Sequence, residues 1–312
     1  MKQVSELKTF RLSQSSSDSI ELEPNVTAVG FFDGIHKGHQ QVISTAVKKA
    51  QQLSLKSAVM TFDPHPSVVL KKEKQHAQYI TPLKEKEEIL ENMGVDYLFV
   101  VHFDKDLAAL SPQSFVDEYF ASLKVEHVVA GYDFSYGHKG KGSMETLPEH
   151  AKGRFTHTVV RKVAQDEDKV SSTRIRTLLD EGNVSEVQKL LGRKFSVRGE
   201  RREDTSSACF SLAISSSYYL PHPGIYAVTI SDHQRDYKGM AIIEDEELTR
   251  SETMNQKIYL HCLESPVSDV PAEFIVYFHQ LIREENLSEQ LSERSRQREK
   301  AKEDIRQFFR IG

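Results

Sequence analysis

Short apolar runs alternate with amphipathic stretches along residues 1–192. The apolar runs have the length and residue types of buried strands, and the stretches between them have helical spacing or a proline at a helix start. Strands that alternate with helices of this kind predict a mostly parallel sheet. The predicted strands are residues 10–12, 26–29, 57–62, 97–101, 125–130 and 158–163, and the predicted helices begin near residues 40, 81, 111 and 173.

The pattern changes near residues 185–195. Beyond this point, short runs separated by turns predict a second, β-rich unit, and a final helical region is expected from about Pro271 to Phe309. We therefore expect an α/β chain of two domains, residues 1–188 and residues 189–312. The predicted strands of the second domain are residues 195–197, 208–214, 225–230, 239–243 and 258–263.

Composition and charge exclude several classes of protein. The chain has 312 residues, enough for two domains, and its net charge of −5 creates no general attraction to nucleic acid or anionic membranes. It contains no apolar run of ~18 residues and no apolar signal segment at its N-terminus, so we expect a cytoplasmic protein. The two cysteines, Cys209 and Cys262, fit a reducing compartment and provide no Cys-x-x-Cys metal site.

The stretch Val29–His39 is the leading candidate for a binding site. It joins a predicted buried strand to a predicted helix, and this arrangement directs backbone N–H groups of the helix start toward an anion. Gly34 and Gly38 allow the chain to pass close to a bulky phosphate. His-x-x-His spacing alone is more often found in surface or capping histidines, but its position in this turn indicates that His36 and His39 stabilise charge on a phosphate group.

Three further segments carry polar groups near predicted strand or helix ends. Ser171–Arg176 is either an ordinary helix cap or a second phosphate site with Arg174 as its cation. Residues 131–142 are either a flexible surface loop or a mobile cover in which Asp133 meets a ribose or a metal. Asp63–Pro66 is either a rigid turn or one wall of a flat-ring pocket, and Glu85 and Lys86 are expected to be helix-surface charges.

Four motifs together resemble the prokaryotic FAD synthetase module, usually the N-terminal half of the bifunctional riboflavin kinase/FAD synthetase. They are Gly30–His39 (GFFDGIHKGH), Thr61–Pro66 (TFDPHP), Gly131–Gly137 (GYDFSYG) and Ser171–Arg176 (SSTRIR). The resemblance covers about residues 20–192. It implies a Rossmann-like nucleotidyltransferase sheet in the first domain, and a small riboflavin-kinase-like β-barrel plus a terminal helix in the second.

The resemblance implies the reaction ATP + FMN → FAD + pyrophosphate, with Mg²⁺ held mainly by the ATP phosphates and its protein ligands unidentified. No protein nucleophile is expected, because the FMN phosphate attacks ATP. The implied catalytic residues are His36, His39 and Arg174. The implied ATP-binding residues are Gly30, Phe32, Asp33, Gly34, Asp133, Ser171, Ser172 and Thr173, and the implied flavin-binding residues are Asp63, His65 and Pro66.

The second domain departs from the family pattern where the kinase normally carries Gly-Phe-Pro-Thr-Ala-Asn. If Phe210 takes the place of the motif's phenylalanine, Leu212 replaces the threonine and Ile214 the asparagine. Neither side chain can supply the hydroxyl or the amide that a Mg²⁺–nucleotide complex needs. The kinase's catalytic glutamate would fall near Gln256, which cannot act as a base. We therefore expect a barrel without riboflavin kinase activity.

The sequence supports three functional hypotheses. The first is an FMN adenylyltransferase that lacks kinase activity, and the second is a bifunctional riboflavin kinase/FAD synthetase with unfamiliar kinase residues. The third is a non-catalytic flavin- or nucleotide-binding regulator, against which the presence of two phosphate-binding motifs argues. A related enzymatic alternative is an adenylyl- or cytidylyltransferase that uses another phosphate-bearing acceptor.

Overall fold

A computed structural model of the protein describes residues 6–13, 21–70, 78–161, 164–165, 168–206, 209–232, 234–244, 257–263, 272–284 and 291–311. The chain divides into two compact units, residues 1–170 and residues 171–312. This division falls before the Ser171–Arg176 segment. The domain boundary expected after residue 188 stays a prediction.

The first unit is built on a parallel sheet of six strands, as the alternating pattern predicted. Its strand order is β1-β4-β3-β2-β5-β8, and two short two-stranded ribbons, β6–β7 and β9–β10, accompany it. The strands in the described part of this unit are β1 (Lys8–Leu12), β2 (Asn25–Val29), β3 (Lys56–Asp63), β4 (Tyr97–His102), β5 (Val125–Gly131), β6 (Ser135–Tyr136), β7 (Gly142–Ser143), β8 (Thr156–Val160), β9 (Ala164–Gln165) and β10 (Asp168–Lys169).

Helices cover both faces of this sheet, as expected when parallel strands are joined by crossovers. Successive strand residues point to opposite faces, so Val59 joins the core that contains Ile43, whereas Met60 joins the core that contains Phe120. The helices are α1 (Lys37–Leu53), α2 (Pro66–Leu70), α3 (Leu83–Asn92), α4 (Lys105–Ala109), α5 (Pro112–Val116), a π-helical turn (Asp117–Ala121), a 3₁₀ turn (His138–Gly140) and α6 (Leu147–Ala151).

Strand β2 lies between β3 and β5, and this position determines where a ligand can bind. The chain leaves β2 toward β3 and β4 on one side and later returns to β5 on the other side. The connections that leave the carboxyl ends of β2 and β5 therefore diverge. Open α/β sheets bind ligands in the crevice that such a divergence creates.

The second unit contains α7 (Ser172–Asp180), α8 (Val184–Leu191), a closed antiparallel barrel and α9 (Leu291–Ile311). The expected barrel and terminal helix are therefore confirmed. The barrel order is β11-β12-β15-β14-β13-β16. Its strands are β11 (Ser196–Ser206), β12 (Cys209–Ile214), β13 (Gly224–Ser231), β14 (Asp236–Glu244), β15 (Lys257–Cys262) and β16 (Glu273–Glu284).

The prediction of one helical region from Pro271 to Phe309 was wrong in its first part. Glu273–Glu284 is a strand that pairs with β11 and β13, and only Leu291–Ile311 is helical. The run from Phe274 to Phe278 is rich in β-branched and aromatic residues, which favour strands. This strand closes the barrel and so leaves no unpaired edge. Helix α9 buries Ala301 and Ile305 against the outside of the barrel.

Candidate active site

The turn between β2 and α1 has an unusual backbone that its sequence explains. Phe32, Gly34 and Ile35 have φ values of 50°, 85° and 37°. Only glycine adopts such angles without steric cost, so Phe32 and Ile35 are held there by the surrounding packing. Both side chains are buried, at 2% and 0% exposure. The turn is therefore a fixed element, and it delivers the chain to the start of α1.

Helix α1 begins directly after His36, whose side chain caps it. His36 Nδ1 accepts a hydrogen bond from the backbone N–H of His39 at 3.3 Å. In a neutral ring this bond leaves the proton on Nε2, so His36 Nε2 is a hydrogen-bond donor. Gly38 permits this geometry, because a Cβ there would lie 3.1 Å from His36 Cε1.

The two histidine rings stack on each other at the start of α1. Their centroids are 3.6 Å apart and their planes differ by 19°. Burial lowers the pKa of His39 well below its usual value, and the nearby His36 and Lys86 lower it further. His39 is therefore neutral near pH 7. Its Nδ1 is buried and has no hydrogen-bond partner among the described residues, which is costly in a folded protein unless a ligand supplies one.

The remaining predicted residues of this turn support its shape. Phe32 packs the edge of its ring against His39, with centroids 5.3 Å apart, and a Cβ on Gly30 would lie 3.0 Å from the Phe32 ring. Asp33 is 2% exposed, and its carboxylate accepts a hydrogen bond from the backbone N–H of Thr81 at 3.2 Å. A Cβ on Gly34 would contact Ile80. These contacts hold the turn against residues 80–81.

The interpretation of Lys86 as a helix-surface charge was wrong. Its side chain is 4% exposed and lies inside the first unit, where Nζ donates to the backbone carbonyl of Phe31 at 3.1 Å and to Thr61 Oγ1 at 3.0 Å. Burial lowers the pKa of Lys86 to about 8, although the carboxylates of Asp33 and Asp63 act in the opposite direction. A buried ammonium group thus lies directly behind the turn.

The predicted flavin-binding residues follow the carboxyl end of β3. Asp63 Oδ1 accepts a hydrogen bond from the Tyr79 hydroxyl at 2.8 Å, and the same hydroxyl accepts from the backbone N–H of His65 at 3.1 Å. The His65 ring packs against Phe31, with centroids 4.2 Å apart, and Pro66 begins α2. Residues 63–66 therefore form a braced wall next to the β2–α1 turn.

Asp133 follows the carboxyl end of β5 and is exposed to solvent. The turn around it is closed by a hydrogen bond from the Phe134 N–H to the Gly131 carbonyl at 3.1 Å. Gly131 lies close to this side chain, because a Cβ there would be 3.1 Å from Asp133 Oδ1. Asp133 therefore lies exposed at the same edge of the sheet as the β2–α1 turn.

Ser171–Arg174 begin the second unit at the N-terminus of α7. Ser171 is the helix cap, and its Oγ accepts a hydrogen bond from the Arg174 N–H at 3.2 Å. Ser172 and Thr173 occupy the first turn, and the Thr173 and Arg174 side chains are exposed. The predicted N-cap is confirmed. Helix α7 buries Ile175, Leu178 and Leu179, which share one face of the helix.

Several residues that shape the first-unit site were absent from the sequence-based prediction. Lys86 occupies the apolar stripe of α3 together with Leu83 and Leu90, and this helical spacing was the signal that it points inward. Phe31 lies within the Gly30–His39 motif, but the sequence did not indicate a role for it. Tyr79 carries no comparable signal, because its role depends on a contact across 16 residues.

The barrel residues aligned with the kinase motif are packed in β12. Phe210 is fully buried and Leu212 is 6% exposed. A Cβ on Gly199 would lie 2.5 Å from Leu212 Cδ1, so this glycine makes room for the leucine. Gln256 lies outside the described residues. Within the ranges that the structure describes, no group of three or more His, Cys, Asp or Glu side chains could hold a metal ion.

Comparisons with known proteins agree with these motifs. A family model described as FAD synthetase matches residues 18–174. A bifunctional riboflavin kinase/FMN adenylyltransferase from Listeria monocytogenes is 39% identical over 290 residues, covering 91% of this chain and 92% of the relative. A protein of the same description from Bacillus subtilis is 40% identical over 229 residues, which is 72% of each chain. An FAD synthetase from Listeria monocytogenes is 30% identical over 216 residues, covering 66% of this chain and 84% of the relative.

A solved structure from Streptococcus pneumoniae has a similar fold along nearly the whole chain. It covers 96% of this chain and 98% of its own length, with a TM-score of 0.83 and 27% sequence identity, and it is titled as a macrolide-efflux protein. None of the helices in the described ranges has the length and apolarity that a membrane span requires.

Proposed function

This chain belongs to the FAD synthetase family and is an FMN adenylyltransferase, and we propose that the β2–α1 turn is where it joins AMP to FMN. The observation that carries this assignment is the buried Nδ1 of His39, which lacks a hydrogen-bond partner in the part of the chain that the structure describes and lies beside His36 at a helix N-terminus. A phosphate oxygen bound there would complete the hydrogen bonding of the turn.

In the proposed reaction, an oxygen of the FMN phosphate attacks the α-phosphorus of ATP. The bond between this phosphorus and the bridging oxygen breaks, and pyrophosphate leaves. Nucleotidyl transfer of this kind depends on positioning and on stabilising the phosphoryl charge, so a protein nucleophile is unnecessary. His36 Nε2–H, the His39 ring and the first N–H groups of α1 would donate to the phosphate oxygens.

The neutral state of His39 is suited to this role. A neutral imidazole does not form a tight ion pair with ATP in the ground state. It can still donate one hydrogen bond to the phosphate oxygens as their charge increases in the transition state. Interactions that strengthen only in the transition state raise turnover more than those made equally to the substrate. The proposal thus assigns His39 mainly to turnover and less to ATP affinity.

Asp63, His65 and Pro66 would border the flavin, because they form the braced wall beyond β3. Asp133 would meet the nucleotide from the end of β5. For Ser171, Ser172, Thr173 and Arg174, the assignment to the β- and γ-phosphates rests on the motif match and on the exposed first turn of α7.

Mg²⁺ would enter with ATP, held mainly by its phosphate oxygens, and would neutralise part of their charge when bound. Asp133 is an exposed carboxylate at this edge of the sheet. The described residues contain no converging set of protein ligands for a resident ion. A cytoplasmic location completes this proposal, as expected for two cysteines, Cys209 and Cys262, that form no disulfide bond.

We further propose that the barrel lacks riboflavin kinase activity. Leu212 and Ile214 stand where the kinase motif needs polar groups, and Leu212 fills the space beside Gly199. The relatives from Listeria monocytogenes and Bacillus subtilis are named as bifunctional, so the alternative is a kinase site that uses other residues.

A paired assay separates these functions. The purified full-length protein is incubated with ATP and Mg²⁺, and with either FMN or riboflavin as the acceptor, and the flavins are resolved by chromatography. FMN should yield FAD and pyrophosphate in equal amounts, and riboflavin should yield neither FMN nor FAD. Formation of FMN or FAD from riboflavin would identify a bifunctional enzyme, whereas nucleotide binding without FAD formation from FMN would identify a non-catalytic regulator.

A further inference from the structure

Lys86 is a deeply buried charged residue next to the β2–α1 turn. It lies outside the four sequence motifs. Its ammonium group contacts the carbonyl of Phe31, the residue immediately before the strained Phe32. It also contacts Thr61 Oγ1, which itself donates to the Phe31 carbonyl at 2.9 Å. Two donors thus converge on one carbonyl oxygen at the start of the turn.

These contacts connect three elements of the first unit. Lys86 comes from α3, Thr61 comes from β3, and the Phe31 carbonyl belongs to the turn. The ammonium also lies 5.7 Å from the centroid of the Phe31 ring, within the range of a cation–π contact, and that ring packs on His65. A displacement of the Lys86 head would therefore act on both the phosphate turn and the flavin-side wall.

A buried charge at this position needs an explanation beyond stability. Burying an ammonium group is costly, and apolar replacements of buried charges are often neutral or stabilising. The fixed charge is near enough to His39 to lower its pKa. It would also contribute positive potential at a site that must accept a triphosphate and a flavin phosphate.

We propose that Lys86 is a positioning residue for adenylyl transfer, which fixes the β2–α1 turn through the Phe31 carbonyl and supplies a positive charge behind the bound phosphates. This inference rests on the proposed role of the His36–His39 turn. The substrate class it serves is a pair of phosphate-bearing ligands, and Lys86 acts on them through the turn and through its field.

The loss of the Lys86 charge should appear in the pH dependence of kcat/KM for FAD formation. Burial lowers its pKa to about 8, so the ammonium form is lost just above neutral pH. The titratable groups that interact with Lys86 are Asp33 on the turn, Asp63 at the end of β3 and His39 on α1, and Tyr79 is hydrogen-bonded to Asp63. Burial raises the pKa of Tyr79 and lowers that of His39, so these two groups titrate outside this window.

The test compares Lys86→Met, Lys86→Gln and Lys86→Arg with wild type. Met removes the charge and the donor, Gln keeps a donor without charge, and Arg keeps the charge. Lys84→Met is the matched control, because Lys84 lies on the same helix with an exposed side chain. FAD formation from FMN and ATP is measured from pH 6 to about 9.5, and thermal melting verifies that each variant is folded.

We expect Lys86→Met to lower kcat about 100-fold, in the range seen when one stabilising donor is removed from an active site. Wild-type kcat/KM should fall on the alkaline side with a midpoint near the pKa of about 8, and this limb should be absent in the Met and Gln variants. Lys86→Arg should recover part of kcat, and Lys84→Met should behave as wild type.

A folded Lys86→Met protein with wild-type kcat and an unchanged pH profile would overturn this inference. Absence of FAD formation by the wild-type protein would instead overturn the proposed function. In that case calorimetric titration with ATP still decides the role of Lys86. If Lys86→Met binds ATP as tightly as wild type, the proposed role of Lys86 is excluded. If it binds ATP about tenfold more weakly, the result supports a charge that acts on bound phosphate.

Discussion

Replacing His39 by leucine should separate stability from activity. His39 Nδ1 is buried and has no hydrogen-bond partner within the described ranges, and an unsatisfied buried polar atom costs about 1–3 kcal/mol. Leucine removes this cost but also loses the ring contacts to His36 and Phe32, which contribute about 0.5–1.5 kcal/mol each. The gain and the loss nearly cancel, so the free energy of unfolding should change by less than about 1 kcal/mol.

The same substitution should abolish most of the enzymatic activity. Loss of one positioned donor at a phosphoryl group lowers kcat by about 100- to 1,000-fold. His39→Asn, which keeps an amide group near the position of Nδ1, should recover part of this loss. Urea unfolding and steady-state FAD formation are measured on the same preparations.

His127→Leu provides a matched control in the same sheet. His127 is also a buried histidine, but both of its ring nitrogens are hydrogen-bonded, to Thr156 Oγ1 at 2.6 Å and Thr158 Oγ1 at 2.8 Å. Leucine there removes two hydrogen bonds that contribute about 0.5–1.5 kcal/mol each, so it should lower the unfolding free energy by about 1–3 kcal/mol with kcat unchanged. A His39→Leu protein destabilised by more than about 2 kcal/mol, or as active as wild type, would refute the reasoning.

Three further substitutions test separate parts of the site. Gly38→Ala places a Cβ 3.1 Å from the His36 ring and should lower kcat about tenfold by displacing that ring, with little change in unfolding by urea. Arg174→Lys should raise the KM for ATP about tenfold, because an ammonium group loses forked contacts with phosphate, and an unchanged KM would remove Arg174 from ATP binding. Lys86 has a pKa lowered from 10.5 to about 8, so the unfolded chain binds its proton more tightly. The stability of wild type relative to Lys86→Met should therefore increase between pH 8 and pH 10.5, by roughly 3 kcal/mol in urea unfolding, and a flat difference would contradict the buried charge.

The sequence was sufficient to predict the elements whose signal is local. Buried strands, the glycine-containing turn with His36 and His39, and the Ser171 cap each depend on residues close together in the chain. The parallel sheet follows from their alternation with helices. These predictions are confirmed because local propensity and tertiary packing agree at these positions.

The residues that the sequence did not indicate depend on contacts between distant segments. Lysine is rarely buried, so the sequence favours a surface position for Lys86. In the structure its side chain points into the first unit and contacts Thr61 and Phe31. Tyr79 is identified only by its hydrogen bonds to residues 63 and 65. Residues 273–284 were assigned to a helix because the pairing with β11 and β13 that makes them a strand is non-local.

The central claim is that this chain transfers the adenylyl group of ATP to FMN at the β2–α1 turn. The most direct measurement follows the α-phosphorus, using ATP labelled at that position, FMN and Mg²⁺, with wild type and His39→Leu compared. The account predicts that the label appears in FAD with wild type and is nearly absent from FAD with His39→Leu. Label that stays in ATP with folded wild-type protein, or that enters FAD equally with both proteins, would contradict it.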